Sequence, residues 1–170
     1  MTEVALFTAI TAVLAQFAVP LPSGVPISLQ TFAVALTGCY LGWRYGMSSI
    51  FVYIALGAVG LPVFASFRGG IAVIAGTTGG FIIGFLPMSA LCGLGASLRG
   101  RMAGIAGALS GLAICHVCGV IWYCVVTSAE PLPAAALISL PFLIKDGLSV
   151  VAAFYISRVI AFAASKVRGS

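Results

Sequence analysis

The chain has 170 residues, of which 62% are hydrophobic and only 6% charged, and its mean hydropathy is +1.23. Soluble domains carry about 25% charged residues, so this composition excludes an ordinary soluble fold and predicts a protein embedded in membrane lipid. The net charge of +5 does not indicate a nucleic-acid partner, because the basic residues lie in short turns and near the C-terminus, where they orient membrane proteins. No polar stretch is long enough for a separate soluble domain, so residues 1–170 are expected to form a single transmembrane domain.

Apolar stretches separated by helix-breaking residues predict an all-α protein with six transmembrane helices, since a span needs about 20 residues. The first is expected to be a retained helix rather than a cleaved signal peptide, because it begins Met-Thr-Glu and lacks a basic leader. A turn is predicted at 42–46, and a long, glycine-rich connection at 62–80. The predicted spans are 4–19, 28–41, 47–60, a fourth that ends at Leu98, 102–126 and 136–164.

When successive connections are assigned alternately to the two sides of the membrane, most of the basic residues fall on one side. One side holds Arg44, Arg99, Arg101, Arg158, Lys166 and Arg168, and the other holds Arg68 with Glu130. Lysine and arginine accumulate on the cytoplasmic side of membrane proteins. The sequence therefore predicts a multi-pass protein of the cell membrane with both termini in the cytoplasm.

Lys145 and Asp146 stand inside the last apolar run, where charges are costly and usually face a cavity or the interior of a bundle. The alternative is a lysine that extends to the membrane surface beside a structural aspartate. Neighbouring residues on a helix diverge by about 100°, so the two side chains are expected to serve different parts of one ligand. The aspartate would accept from N–H groups, and the lysine would donate to a carboxylate.

Three further positions are weaker candidates for a binding site. Arg68 is flanked by Phe64 and Phe67 in an outward connection, where an exposed arginine with no role is also common. Gln30 and Thr31 form a polar pair early in the second span, and either another helix or a ligand would satisfy them.

The segment Cys115-His116-Val117-Cys118 has the spacing of a redox or metal pair, but it lies in mid-span and has no second pair. A buried packing cluster is the preferred interpretation, and a membrane-embedded redox or metal protein is the alternative. The sequence has no phosphate-binding loop and no nucleophile elbow. It therefore predicts no catalytic residues, no metal and no cofactor, and any ATP must be hydrolysed by another subunit.

Small residues recur at four-residue spacing, a pattern that lets membrane helices approach closely. Ala5 and Ala9 form one such pair, and Gly38, Gly42 and Gly46 form another series. Packing within the chain and contact with a partner subunit both remain open for each of them.

Three segments together resemble the BioY family, the biotin-specific substrate-binding (S) components of energy-coupling factor (ECF) transporters. They are VPISLQT at 25–31, GLPVF at 60–64 and GTTGGFIIGF at 76–85. The resemblance implies a six-helix S-component fold with a biotin pocket near the outer face. It also implies a transmembrane coupling (T) component and two cytoplasmic ATPases as partners, with Ala5 and Ala9 on the face that contacts the T component.

The same resemblance suggests the composition of the pocket. Asp146 would accept from the ureido N–H groups of biotin, Gln30 would donate to the ureido carbonyl, and Lys145 or Arg68 would meet the carboxylate. Family members typically carry a lysine three residues after the aspartate, where this chain has Ser149. That difference leaves an S component for another vitamin as an alternative. The remaining predicted pocket residues are Phe64, Phe67 and Thr78.

Overall fold

A computed structural model describes residues 1–168, with side chains through Lys166. The side chain of Arg168, which the sequence predicts on the cytoplasmic side, therefore lies outside the described part. Two short strands, β1 (Ala18–Val19) and β2 (Ile27–Ser28), pair as an antiparallel ribbon. The helices of the described chain are α1 (Thr2–Ala15), α2 (Gln30–Ala58), α3 (Ile71–Ala75), α4 (Gly79–Ser97), α5 (Arg101–Thr127), α6 (Pro131–Ile138) and α7 (Leu140–Arg168).

Helices dominate the described chain, which confirms the predicted all-α class. Among the described residues, three helices are long and apolar enough to cross a membrane: Gly79–Ser97, Arg101–Thr127 and Leu140–Lys166. Helix α1 is apolar but shorter. Its buried face packs on α2, while Ala5 and Ala9 lie on its exposed side.

Helix α2 folds back on itself at Gly42, whose φ of 78° and ψ of 172° are not helical. A methyl group on Gly46 would lie 2.9 Å from the Cα of Gly38, although eight residues of straight helix would separate them by about 12 Å. Residues 30–41 and 43–58 are thus two arms of a helical hairpin. The predicted turn at 42–46 was too long, because a single glycine with positive φ is enough to reverse the helix.

Two other predicted boundaries were wrong. The first helix ends at Ala15 rather than at Val19, because Ala18 and Val19 pair instead with residues 27–28. The last predicted helix is divided at Ser139 into α6 and α7. Pro141 explains the division: it lacks the N–H needed inside a continuous helix but is tolerated in the first turn of a new one.

The centre of the bundle is held together by close backbone contacts between α4 and its two neighbours, α2 and α5. A methyl group on Gly38 would stand 2.3 Å from the carbonyl oxygen of Ser89, and one on Gly95 would stand 2.7 Å from the Cα of Gly107. The glycines at these crossings therefore pack within the chain. Helix α7 completes the bundle against α2 and α5.

Candidate functional site

A cavity opens among α2, α4, α5, α7 and the connection at 62–70. The space between its lining residues, including open solvent at its mouth, is about 670 Å³. Its apolar walls include Val25, Phe64, Phe81, Phe85, Ile138 and Phe142. Its polar side chains include Ser28, Gln30, Thr31, Arg68, Thr78, His116, Lys145 and Asp146.

Asp146 lies in the second turn of α7, and only 4% of the residue is exposed. The Lys145 ammonium contacts its Oδ1, and the Nε2 atom of His116 lies 3.5 Å from its Oδ2. A buried carboxylate needs such partners because apolar surroundings do not solvate its charge. In this structure both oxygens of Asp146 face groups that can carry a positive charge.

Lys145 folds back towards Asp146, although the sequence-based expectation was that the two side chains diverge. Its long stem allows the ammonium to reach past the direction in which the Cβ points. The same ammonium donates a 2.6 Å hydrogen bond to the carbonyl oxygen of Ser28. Lys145 thus links the start of α7 to the short strand that precedes α2.

His116 was missed as a site residue by the sequence analysis, which placed it in a packing cluster with two cysteines. Its Nδ1 lies 2.9 Å from the hydroxyl oxygen of Ser139, at the break between α6 and α7. The ring also packs edge-on against Phe81, with centroids 5.7 Å apart. The signal available in the sequence was an ionisable residue inside an apolar span, which indicates a functional site by default.

The two neighbouring cysteines differ in their relation to the cavity. Cys115 lines it, is buried and directs its thiol towards the carbonyl oxygen of Phe81 at 3.6 Å, while Cys118 does not line it. No group of three or more His, Cys, Asp or Glu side chains among the described residues is placed to hold a metal ion.

A chain of hydrogen bonds fixes Gln30 in the wall of the cavity. The Ser28 hydroxyl donates to the Gln30 amide oxygen at 3.0 Å, and the Gln30 amide nitrogen donates to the Tyr53 hydroxyl at 2.7 Å. Tyr53 in turn donates to the carbonyl oxygen of Val63 at 3.0 Å. Neither Ser28 nor Tyr53 had been predicted as a site residue, and the contact between Gln30 and Tyr53 joins positions 23 residues apart.

The connection at 62–70 forms the rim of the cavity, and it sends its two phenylalanines in different directions. Phe64 is 1% exposed and lines the cavity, whereas Phe67 is 71% exposed and does not line it. Ser66 and Phe67 both adopt positive φ, at 60° and 56°, which turns the backbone sharply between the two rings. Arg68 is exposed and lines the mouth, and no ion pair joins it to another described residue.

The side chain of Gln16, which follows α1, stabilises the connection at 62–70 through hydrogen bonds. Its amide oxygen accepts from the backbone N–H of Phe67 at 2.8 Å. Its amide nitrogen lies 2.8 Å from the carbonyl oxygen of Ala12 and 3.3 Å from that of Val63. The end of α1 and the rim of the cavity are therefore joined by one side chain.

The structure brings together most of the side chains that the sequence predicted for the site. Phe67 stands apart on the outer surface of the connection, and Ser149 does not line the cavity. The predicted residues that line the cavity are Asp146, Lys145, Arg68, Gln30, Phe64 and Thr78.

A bundle of apolar helices around a cavity with aromatic walls and a few convergent polar groups defines a membrane-embedded small-molecule-binding protein. The sequence model of the BioY family matches residues 1–166, and the chain belongs to that family. The resemblance drawn from the three sequence segments is thereby confirmed.

Individual relatives agree with this assignment. The chain is 38% identical to the biotin transporter BioY of Rhodobacter capsulatus over 175 aligned positions, which cover 94% of this chain and 92% of that protein. It is 46% identical to the probable biotin transporter BioY of Pyrococcus horikoshii over 119 residues, or 70% of each chain. The crystal structure of the S-component for biotin from an ECF-type ABC transporter superposes with a TM-score of 0.86 at 26% identity, covering 94% of this chain and 89% of that one.

Proposed function

We propose that this protein binds biotin with high affinity and serves as the substrate-binding S component of an ECF-type transporter. The observation that carries the proposal is the buried Asp146 carboxylate in a cavity with aromatic and aliphatic walls and a few polar side chains, in a chain of the BioY family. Biotin has the matching distribution of groups, with a polar ureido ring, an apolar thiophane and chain, and a carboxylate.

The polar residues suggest how biotin would be oriented. The ureido N–H groups would donate to Asp146, and the apolar part of the ligand would lie against walls such as Phe64. Arg68 is the better partner for the carboxylate, because Lys145 is already paired with Asp146 and with the Ser28 carbonyl group. A guanidinium at the mouth also suits a carboxylate that enters last.

Six membrane crossings are proposed, formed by α1, the two arms of α2, α4, α5 and α7. The arms of α2 are shorter than a full span but pack among the other helices, where length is less restrictive. Most basic residues lie towards the end of the bundle opposite the cavity, at the α4–α5 junction and the last turns of α7. The positive-inside rule then places both termini in the cytoplasm of a cell-membrane protein, with the cavity facing outward.

Titration of the purified protein with biotin in detergent tests the proposed function. Saturable binding is expected, with weaker competition by biotin methyl ester, which lacks the carboxylate charge that Arg68 would read. Thiamine is expected not to compete because it has no cyclic urea, and riboflavin is expected not to compete because its fused three-ring system is larger than the two-ring system of biotin. Absence of saturable biotin binding by folded protein would overturn the proposal, and competition by either vitamin would favour an S component of different specificity.

The proposed partners are a membrane-embedded T component and two cytoplasmic ATPases, since the chain has no phosphate-binding loop of its own. Ala5 and Ala9 are one turn apart on the exposed side of α1, where their small side chains would let another helix approach closely. The opposite face of α1 is committed to the bundle through residues such as Phe7 and Thr11.

Ala9→Trp is expected to prevent assembly with the T component while leaving biotin binding intact. The bulky ring would keep a partner helix at a distance, and a reduction of about 10-fold or more in co-purified T component is expected. Ala106→Trp, at an exposed position on α5, is the matched control. Equal recovery of the T component with both variants would remove this face of α1 from the interface.

A further inference from the structure

We propose that His116 determines ligand specificity in this cavity, by donating from Nε2 to a carbonyl oxygen that lies beside an N–H group bound by Asp146. The inference rests on the proposed binding of biotin, whose ureido ring has such an edge. It extends that function by naming a second polar side chain that reads the ring, supplied by α5 rather than by α7.

The contacts of His116 determine which ring nitrogen carries the proton. Nδ1 lies 2.9 Å from the Ser139 hydroxyl, which is able to donate or accept. Nε2 faces the Asp146 carboxylate, which only accepts when ionised. A proton on Nε2 is therefore favoured, with the Ser139 hydroxyl donating to Nδ1, because the opposite tautomer would set two acceptors against each other.

The Nε2–H group is not fully used within the protein. Its 3.5 Å separation from Asp146 Oδ2 exceeds the roughly 3.2 Å limit of an ordinary N–H···O hydrogen bond. His116 lines the cavity, so a ligand oxygen is able to approach this donor. Ser139 on one side and the edge-on contact with Phe81 on the other hold the ring in this orientation.

The donor of His116 and the acceptor of Asp146 thus stand side by side at the polar end of the cavity. A cyclic urea presents the complementary pattern, a carbonyl oxygen next to an N–H group. A ligand that carries a donor in place of that oxygen would direct N–H against N–H in a site where 7% of the His116 side chain and 6% of the Asp146 side chain are exposed. Buried polar groups left without partners discriminate strongly between otherwise similar ligands.

The test compares biotin with 2-iminobiotin, whose cyclic guanidine is protonated at neutral pH and presents N–H where biotin has its ureido oxygen, on wild-type protein and His116→Phe. Phenylalanine keeps the ring but has no N–H. We expect biotin affinity to fall by about 10- to 100-fold while 2-iminobiotin affinity changes little, so that the preference for biotin falls by about the same factor. Dethiobiotin, which keeps the urea and lacks the sulfur, is the control ligand, and its affinity relative to biotin is expected to stay constant.

Two further variants keep the inference testable if the phenylalanine variant does not fold. His116→Gln retains a side-chain N–H and is expected to recover part of the preference for biotin. Ser139→Ala removes the hydroxyl that donates to Nδ1 and holds the imidazole ring in place, and it is expected to give an intermediate preference.

The possible outcomes distinguish failure of this inference from failure of the proposed biotin-binding function. A purely structural role would lower the affinity for biotin and 2-iminobiotin by the same factor in every variant, which would overturn the inference and leave biotin binding in place. No binding of either ligand by folded wild-type protein would overturn the proposed function, and this inference with it.

Discussion

Asp146→Asn is expected to weaken biotin binding by about 100-fold, the largest effect that we expect from a single substitution in the cavity. An amide is a weaker acceptor than a carboxylate, and its NH₂ group would face the ureido N–H groups that Asp146 is proposed to bind. The change also leaves the half-buried Lys145 ammonium without its counter-charge. Equilibrium binding of labelled biotin measures the loss.

The matched control is Glu130→Gln, which makes the same carboxylate-to-amide exchange at an exposed position before α6. Its affinity for biotin is expected to equal that of the wild-type protein. Thermal unfolding in the presence and absence of biotin separates loss of binding from loss of folding, because a ligand raises the unfolding temperature only of protein that binds it. Wild-type affinity in Asp146→Asn would remove this residue from the site.

Gly38→Ala is expected to destabilise the fold by about 3 kcal/mol, the upper part of the range for overpacked positions. The added methyl group would stand 2.3 Å from the carbonyl oxygen of Ser89 and 3.1 Å from the Cβ of Cys92. Most of this obstruction is backbone, which does not rotate away as the end of a side chain would. Helix α4 would have to move outward from α2, and thermal unfolding in detergent measures the cost.

Gly147→Ala provides the comparison for that experiment, because a methyl group there has no neighbouring atom within 4 Å. Alanine favours a helix over glycine by up to about 1 kcal/mol, so unchanged or slightly raised stability is expected. Equal unfolding temperatures for the two variants would mean that α2 and α4 tolerate a wider spacing than the structure shows.

The sequence predicted the site residues whose side chains are energetically costly to place within their own apolar segment. A charge inside an apolar run is costly, so Lys145 and Asp146 could be identified without knowledge of their neighbours. His116 carried the same signal, but two cysteines beside it suggested packing instead. Its contact with Ser139 spans 23 residues, and no local pattern predicts such a separation.

The connection at 62–70 contains a feature that the sequence could not predict. Phe64 and Phe67 are equally apolar and three residues apart, so the sequence offered no reason to separate them. Positive φ at Ser66 and Phe67 rotates the second ring outwards, and a hydrogen bond from Phe67 to Gln16 holds it there. Serine and phenylalanine rarely adopt that conformation, and contacts with distant residues stabilise it here.

By itself, the sequence determined that this is an all-helical membrane protein of the BioY family, because hydropathy, charge placement and short motifs are properties of consecutive residues. The packing of the Gly42 hairpin and the His116–Asp146–Lys145 cluster were decided only by the tertiary structure. The hairpin packs through close backbone contacts between α2 and α4, and the cluster forms where side chains of α5 and α7 reach each other across segments distant in the chain. The pocket is therefore a property of the packed bundle, although most of its polar members could be named beforehand.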